Sequence, residues 1–301
     1  MALKRNAVPR GFPNLARIRE SIGLLVPKIK AGHLPPPKPP WQGYTSYDAT
    51  QPIVSAQHLA IEVAKVYELT VGTLVVAFRS GLKSAAVVEL GSSDDFFIEV
   101  DASFSDRPKD LGAILGHELA HIFLHRKQIR IANTWGNEIL TDTTAALYGF
   151  AALMADTFTV TEQSRSVHGG VETTRRERKL GYLTPDELGY VVTRCSPDNI
   201  ASYLDSAAAK SALRVGRRKA LQDVRTPPLR SAPLGSRIMY RIRQARPGQL
   251  ESGLPSAMRY GFGTETVSFR CPLCCQGMRL PTRKSLTTNC PRCQFELVCQ
   301  T

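Results

Sequence analysis

Residues 117–121 read His-Glu-Leu-Ala-His, and Asn137-Glu138 and Asp142 follow shortly after. On a helix, His117 and His121 lie one turn apart on the same face. That spacing lets both imidazoles reach one Zn²⁺ while the Glu118 carboxylate sits beside a metal-held water. A metal, a base and a water at one point make a hydrolytic site. The flanking residues, Leu111 to Gly116 and Ile122-Phe123-Leu124, are largely apolar, so the helix is expected to be mostly buried. Two histidines and a glutamate in such a helix need partners, and a metal supplies them.

A second helical run opens at Trp135 and continues to Met154. Glu138 and Asp142 are four residues apart and share one face of it. Glu138 suits a third metal ligand. Asp142 suits an acceptor for the free N–H of a ligating histidine, which would fix its tautomer and orient its ring. The plainer alternative is that both are first-turn acids favoured by the helix dipole.

His117, Glu118 and His121, followed by Glu138 and Asp142 in an N-E-x-x-x-D arrangement, resemble the gluzincin zinc metallopeptidases, the thermolysin-like branch of the zincins. With the strand-like Phe97 to Asp101 upstream, the pattern is similar to the compact ImmA/IrrE-like bacterial members. The resemblance spans roughly residues 55 to 195. The position following His121-Ile122-Phe123 is Leu124, and no H-E-x-x-H-x-x-G-x-x-H extension follows, which disfavours the metzincins. The resemblance implies a peptidase that cleaves peptide bonds through a zinc-held water. Glu118 would be the general base and His117, His121 and Glu138 the ligands, with Asp142 behind them. Limited cleavage of a regulatory protein follows from the same likeness.

Three protein ligands leave one position for water, as in catalytic rather than structural zinc. Glu118 would take the water's proton and pass it to the leaving amine. A side chain often shares oxyanion stabilisation with the metal, and Tyr148, His168, Tyr182 and Tyr190 are all open as candidates. His125 reads as a residue beside the site rather than a fourth ligand.

A second metal site is written near the C-terminus. Cys271 and Cys274, then Cys290 and Cys293, form C-x2-C, fifteen residues, C-x2-C. This is the spacing of a closed four-thiolate zinc site, hence structural, and it resembles a zinc ribbon. About thirty residues cannot bury enough apolar surface to fold alone, so the metal would supply much of the stability. Cys275 and Cys299 are extra thiols and Cys195 is remote. Two zinc ions are therefore expected, one catalytic and one structural. The thiol-rich module, with no secretory signal in view, fits a cytoplasmic setting better than paired disulfides.

These motifs need elements to hold them. A 3.6-residue period runs from Pro52 through Val66, and three strand candidates follow: Thr73–Phe78, Ala85–Leu90 and Phe96–Val100, arranged as a meander. Either of the latter two could be an edge that takes an extended peptide by strand addition. Thr184, Pro185 and Glu187 form a strong helix start running to about Arg194. Another helix is expected over Asp198 to Arg218. The expected fold is α+β. Residues 1–50 form a basic arm ending in five prolines within six residues. Residues 51–225 form a compact zincin-like domain, with a small mixed sheet, the H-E-x-x-H helix and the Glu138 helix. A linker over 226–265 and a zinc ribbon over 266–301 complete the chain.

The 301 residues carry a net charge of +13, and 17 Lys or Arg stand against 7 Asp or Glu between Arg165 and Arg246. Such a field favours acidic surfaces, nucleic acid included. A different class of protein is thus in view as well: a non-catalytic zinc protein that binds nucleic acid or a protein partner through the ribbon and basic region. No run of apolar residues is long enough to span a bilayer, so a membrane partner is not expected.

Overall fold

A computed structural model describes residues 8–29, 41–91, 94–167, 170–195, 200–224, 228–245, 260–272, 276–282 and 284–301. In chain order these form α1 (Leu15–Ile29), α2 (Pro52–Val66), β1 (Thr73–Arg79), β2 (Ala86–Val88), β3 (Asp95–Asp101), α3 (Pro108–Arg126) and α4 (Thr134–Ala145). A π-helical turn over Ala146–Phe150 leads into α5 (Ala151–Asp156). Then come β4 (Thr159–Val167), β5 (Gly170–Arg178), α6 (Pro185–Cys195), α7 (Ala207–Val224) and α8 (Leu234–Gln244). The last five strands are β6 (Gly261–Phe262), β7 (Thr266–Arg270), β8 (Gly277–Pro281), β9 (Ser285–Asn289) and β10 (Glu296–Gln300). The architecture is α+β, mostly helical, with small separate sheets. Among the described residues no helix is long and apolar enough to cross a membrane.

The first sheet is mixed, in the order β1-β3-β2, with β1 parallel to β3 and β2 antiparallel to it. This corrects the expected meander. Both seven-residue strands, β1 and β3, pair along their whole length, from Thr73 against Asp95 to Arg79 against Asp101. The strand expected at Ala85–Leu90 shortens to three residues, too few to serve two neighbours. The Phe96–Val100 segment is therefore central and cannot take a peptide at its edge; β2 is left on the margin. Leu74, Val76, Ala86, Phe96, Ile98 and Val100 alternate onto the buried face, above α2 and α3.

The amino-terminal segment is not a detached arm. Ile18, Ile22 and Leu25 recur at helical spacing and are fully buried, and α1 packs on α4. Arg19 reaches Asp223 of α7 at 2.6 Å, an ion pair shared with the Tyr190 hydroxyl, which donates to the same carboxylate at 2.6 Å. Charge in this stretch is spent on internal pairing as well as on solvent. The proline tract lies outside the described residues.

The α6 start is as the sequence predicts. Glu187 N–H donates to Thr184 Oγ1 at 3.1 Å, and Thr184 N–H donates to Glu187 Oε2 at 3.0 Å. Glu187 also accepts Asn14 N–H and Nδ2, so one carboxylate caps α6 and anchors the chain entering α1. The next helix begins later than expected. A 3₁₀ turn covers Ile200–Tyr203, and α7 runs from Ala207 to Val224. Ser206 sets the start by accepting Ala209 N–H at 3.2 Å. The α6–α7 crossing is close: a Cβ at Gly216 would collide with the Asp186 carbonyl and Tyr190 amide.

The expected linker is also partly structured. Leu229 forms a bridge with Cys299 of β10, α8 occupies 234–244, and Tyr240 of α8 packs edge-on against Tyr260 at 5.0 Å. Of the apolar residues of α8 only Tyr240 is buried, so this short helix carries an apolar stripe that does not face the core.

If α1 belongs to the core, Ile22→Ala lowers unfolding free energy by about 2–5 kcal/mol. Equilibrium denaturation would show this; a change within about 0.5 kcal/mol, as for surface positions, would return the segment to a solvated arm.

Candidate metal centre

Helix α3 is seated by contacts directly before its first histidine. Tyr67 donates to the Gly116 carbonyl at 2.7 Å, and a Cβ at Gly116 would press into the Phe150 ring at 2.7 Å. Glycine at this position lets the π-helical turn approach the helix. Helix α4 is set by Asn133, whose side chain accepts Gly136 N–H at 2.6 Å, and by Asn137, whose amide oxygen accepts Ile131 N–H at 2.7 Å. Asn137 is thus used to shape the loop that presents Glu138.

These two helices bring His117, His121 and Glu138 together as a group that could hold a metal ion. His117 Nε2 lies 3.1 Å from His121 Nε2 and 3.2 Å from Glu138 Oε2, and His121 Nε2 lies 3.4 Å from the same oxygen. Donors about 2.0–2.1 Å from a tetrahedral ion are separated by about 3.3 Å, so the triangle has the right edge. The separation of His117 and His121 from one another by four residues, inferred from spacing, is used as expected.

The other nitrogen of each ring settles what these atoms present. His117 Nδ1 is 2.7 Å from Asp142 Oδ1. Asp142 is wholly buried, and its second oxygen accepts the Tyr182 and Leu183 amides at 2.5 and 2.8 Å. A carboxylate only accepts, so His117 Nδ1 carries the hydrogen. His121 Nδ1 lies 3.2 Å from Thr141 Oγ1, whose single hydrogen goes to the Asn137 carbonyl at 2.8 Å. The hydroxyl therefore accepts from His121 Nδ1–H as well. Each ring is thereby left with Nε2 facing the carboxylate oxygen of Glu138, where it can donate a hydrogen to that oxygen or offer a lone pair to a cation. Thr141 was not singled out from sequence; a hydroxyl one residue before an expected hydrogen-bonding acid was the available signal.

The charges agree with this geometry. Burial works against a charged His117 ring, but hydrogen bonds to Asp142 and Glu138 outweigh it and push its pKa up to about 10. Burial likewise opposes charge on Glu138, yet hydrogen bonds from His117 and His121 draw it down to about 2. Burial pushes the Glu118 carboxyl up, with Glu138 and Asp142 adding to the rise.

Two clefts flank the donors. One, of about 330 Å³, is lined by His117, Glu118, Tyr182, Lys179, Ala85 and the first β2 residue, Ala86; the other, of about 660 Å³, takes in His121, Glu138 and His125. Of the four oxyanion candidates, Tyr148 is buried among Tyr67 and Phe123, and Tyr190 is committed to Asp223. His168 lies outside the described residues. Tyr182 remains, with its ring stacked over His117 at 6.0 Å and its hydroxyl kept protonated by burial and by the Glu138, Asp142 and Glu118 charges. Exposed Trp135 meets Tyr182 edge-on at 5.5 Å, forming an aromatic rim that the sequence did not reveal.

In the carboxy-terminal module, Cys271, Cys290 and Cys293 are buried and close enough to share an ion. Cys271 Sγ and Cys293 Sγ are 3.7 Å apart, against about 3.8 Å for two thiolates bound tetrahedrally at about 2.3 Å. Gln294, in the left-handed region at φ 56°, donates its N–H to the Cys290 carbonyl at 2.8 Å and closes a tight knuckle. Cys274 lies outside the described residues, as does Cys275. Cys299 is buried in the module, and burial pushes its thiol up to about 11.

Comparison with protein-family models, with curated proteins and with solved structures finds no match to this chain.

Thr141→Val keeps the side-chain shape and removes the acceptor for His121. Metal affinity at the histidine site, measured by chelator competition, should fall about tenfold or more. Unchanged affinity would mean that the hydroxyl does not orient the ring.

Proposed function

We propose that this chain is a zinc-dependent peptidase of the gluzincin kind, with zinc at the His117, His121 and Glu138 group and a second, structural zinc in the thiolate module. The observation that carries the reading is the convergence of two Nε2 atoms and the Glu138 oxygen at 3.1–3.4 Å, with Nδ1 of each ring held from behind by Asp142 or Thr141. Two imidazoles and a carboxylate are the donor set of a catalytic zinc with an open position, whereas thiolates without one are the set of a structural ion. Bound there, zinc supplies an acidified water and a Lewis acid for a carbonyl.

The chain's own groups do the remainder. Glu118, buried next to His117 with its pKa raised, is placed to accept a proton in the cleft and return it to a leaving amine. Tyr182 reaches the same cleft as a neutral O–H donor for a developing oxyanion. An extended substrate would lie along β2, whose first residue Ala86 lines the cleft and which has β3 on one side only. Buried thiols near one another in the ribbon favour a reducing, cytoplasmic compartment. Limited cleavage of a regulatory protein is the substrate class that accompanies the compact gluzincin resemblance.

A second reading keeps both metals as scaffold and gives the protein a binding role for nucleic acid or a protein partner. It draws on Arg214, Arg217 and Arg218, which are exposed together on α7. The two readings part on one substitution. Glu118→Gln should retain the metal and lose peptide hydrolysis by about 10²-fold or more, while His117→Ala should lose the metal as well. New amino termini in a cell lysate, mapped against the Glu118→Gln control, report this directly. If the wild type generates none beyond that control while a salt-sensitive nucleic-acid complex forms with either protein, the binding role is the correct one.

A further inference from the structure

Helix α8 packs by one side alone. Tyr240 is buried against Tyr260 and Phe262 at 5.0 and 5.3 Å, and Gln244 lies one turn on along the same side. On the opposite side Leu234, Ile238, Met239 and Ile242 are exposed by 71, 50, 49 and 45%. At 100° per residue these four occupy an arc of about 140°, centred nearly opposite Tyr240. Arg241 borders one edge of that arc and Arg243 the other, both exposed.

The surrounding charge is of one sign. From residue 225 to 250 the sequence holds six arginines and no aspartate or glutamate. Lys284, directly before β9, joins Arg241 at the rim of a cleft of about 400 Å³ between α8 and the ribbon.

We propose that α8 is an in-plane docking element for an anionic lipid surface. A convex aliphatic stripe bordered on both sides by arginines matches the two layers of such a surface: side chains enter the acyl boundary while guanidinium groups extend to the headgroups. The aromatic contacts on the far side fix which face is presented, so the stripe cannot roll inward without giving up Tyr240. Duplex or single-stranded nucleic acid fits less well. It would place cations at the centre of the face and aromatics where stacking is needed, and here the centre is aliphatic. This inference does not depend on the peptidase reading.

The test is co-sedimentation of the full-length, metal-loaded protein with vesicles of phosphatidylcholine alone or containing about 30% phosphatidylserine. Binding is expected to the anionic vesicles and not to the neutral ones. An Ile238→Asp/Ile242→Asp double variant, exposed positions whose metal content and circular dichroism should be unchanged, should bind about tenfold less or weaker, and Arg241→Glu/Arg243→Glu likewise. Failure to bind anionic vesicles, or binding indifferent to the isoleucine changes, would overturn the proposal. So would an acidic protein or a nucleic-acid duplex whose binding is lost with the same isoleucine changes while vesicles do not bind.

Discussion

One buried carboxylate holds the centre together. Asp142 takes the Nδ1 hydrogen of His117 with one oxygen and the Tyr182 and Leu183 amides with the other. It therefore joins α3, α4 and the chain entering α6 at a point with no access to water. A carboxylate in that position is costly unless it is hydrogen-bonded, and here the partners come from two other elements, α3 and the chain entering α6. The same bonds fix the direction of the His117 lone pair and bring Tyr182 over the imidazole. Removing Asp142 would release the ring and the aromatic rim together. Gly181, in the left-handed region at φ 75°, is packed against the Asp142 carboxyl, so the backbone there is shaped to this contact.

Behind this point the fold works as a set of braces. Gly116 and Phe150 set the depth of α3, while Asn133 and Asn137 set the start of α4. Glu187 ties the α6 cap to Asn14, and Asn14 in turn accepts the indole N–H of Trp135 at 3.1 Å. The amino-terminal segment thus reaches the rim of the site. Flexible side chains at a metal site reduce affinity and rate; in this chain the supporting residues are drawn from α4, α6, the π-helical turn and the segment before α1.

The donors themselves were legible because helical spacing is rigid: four residues between His117 and His121, and four between Glu138 and Asp142, leave few ways to face one another. The capping box at Thr184 and Glu187 was legible for the same reason, since it is local. What escaped was long-range. Whether β2 or β3 takes the centre of the sheet depends on which is long enough to pair on both sides, and the three-residue length of β2 is set by tertiary packing. Arg19 and the apolar Ile18, Ile22 and Leu25 looked like part of an arm because their partners, Asp223 and α4, lie far along the chain. Helix α8 was hidden by having a single well-buried residue. Thr141 escaped because a hydroxyl carries no spacing rule of its own.

The central claim is that nitrogen and oxygen donors, rather than sulfur alone, hold an ion in this protein. X-ray absorption at the zinc edge, on a Cys290→Ser variant in which the thiolate site is weakened, addresses it directly. The structure predicts a first shell of nitrogen and oxygen at about 2.0–2.1 Å with the outer scattering of two imidazoles. A shell of sulfur at about 2.3 Å with no imidazole signal, or no retained zinc, would contradict it.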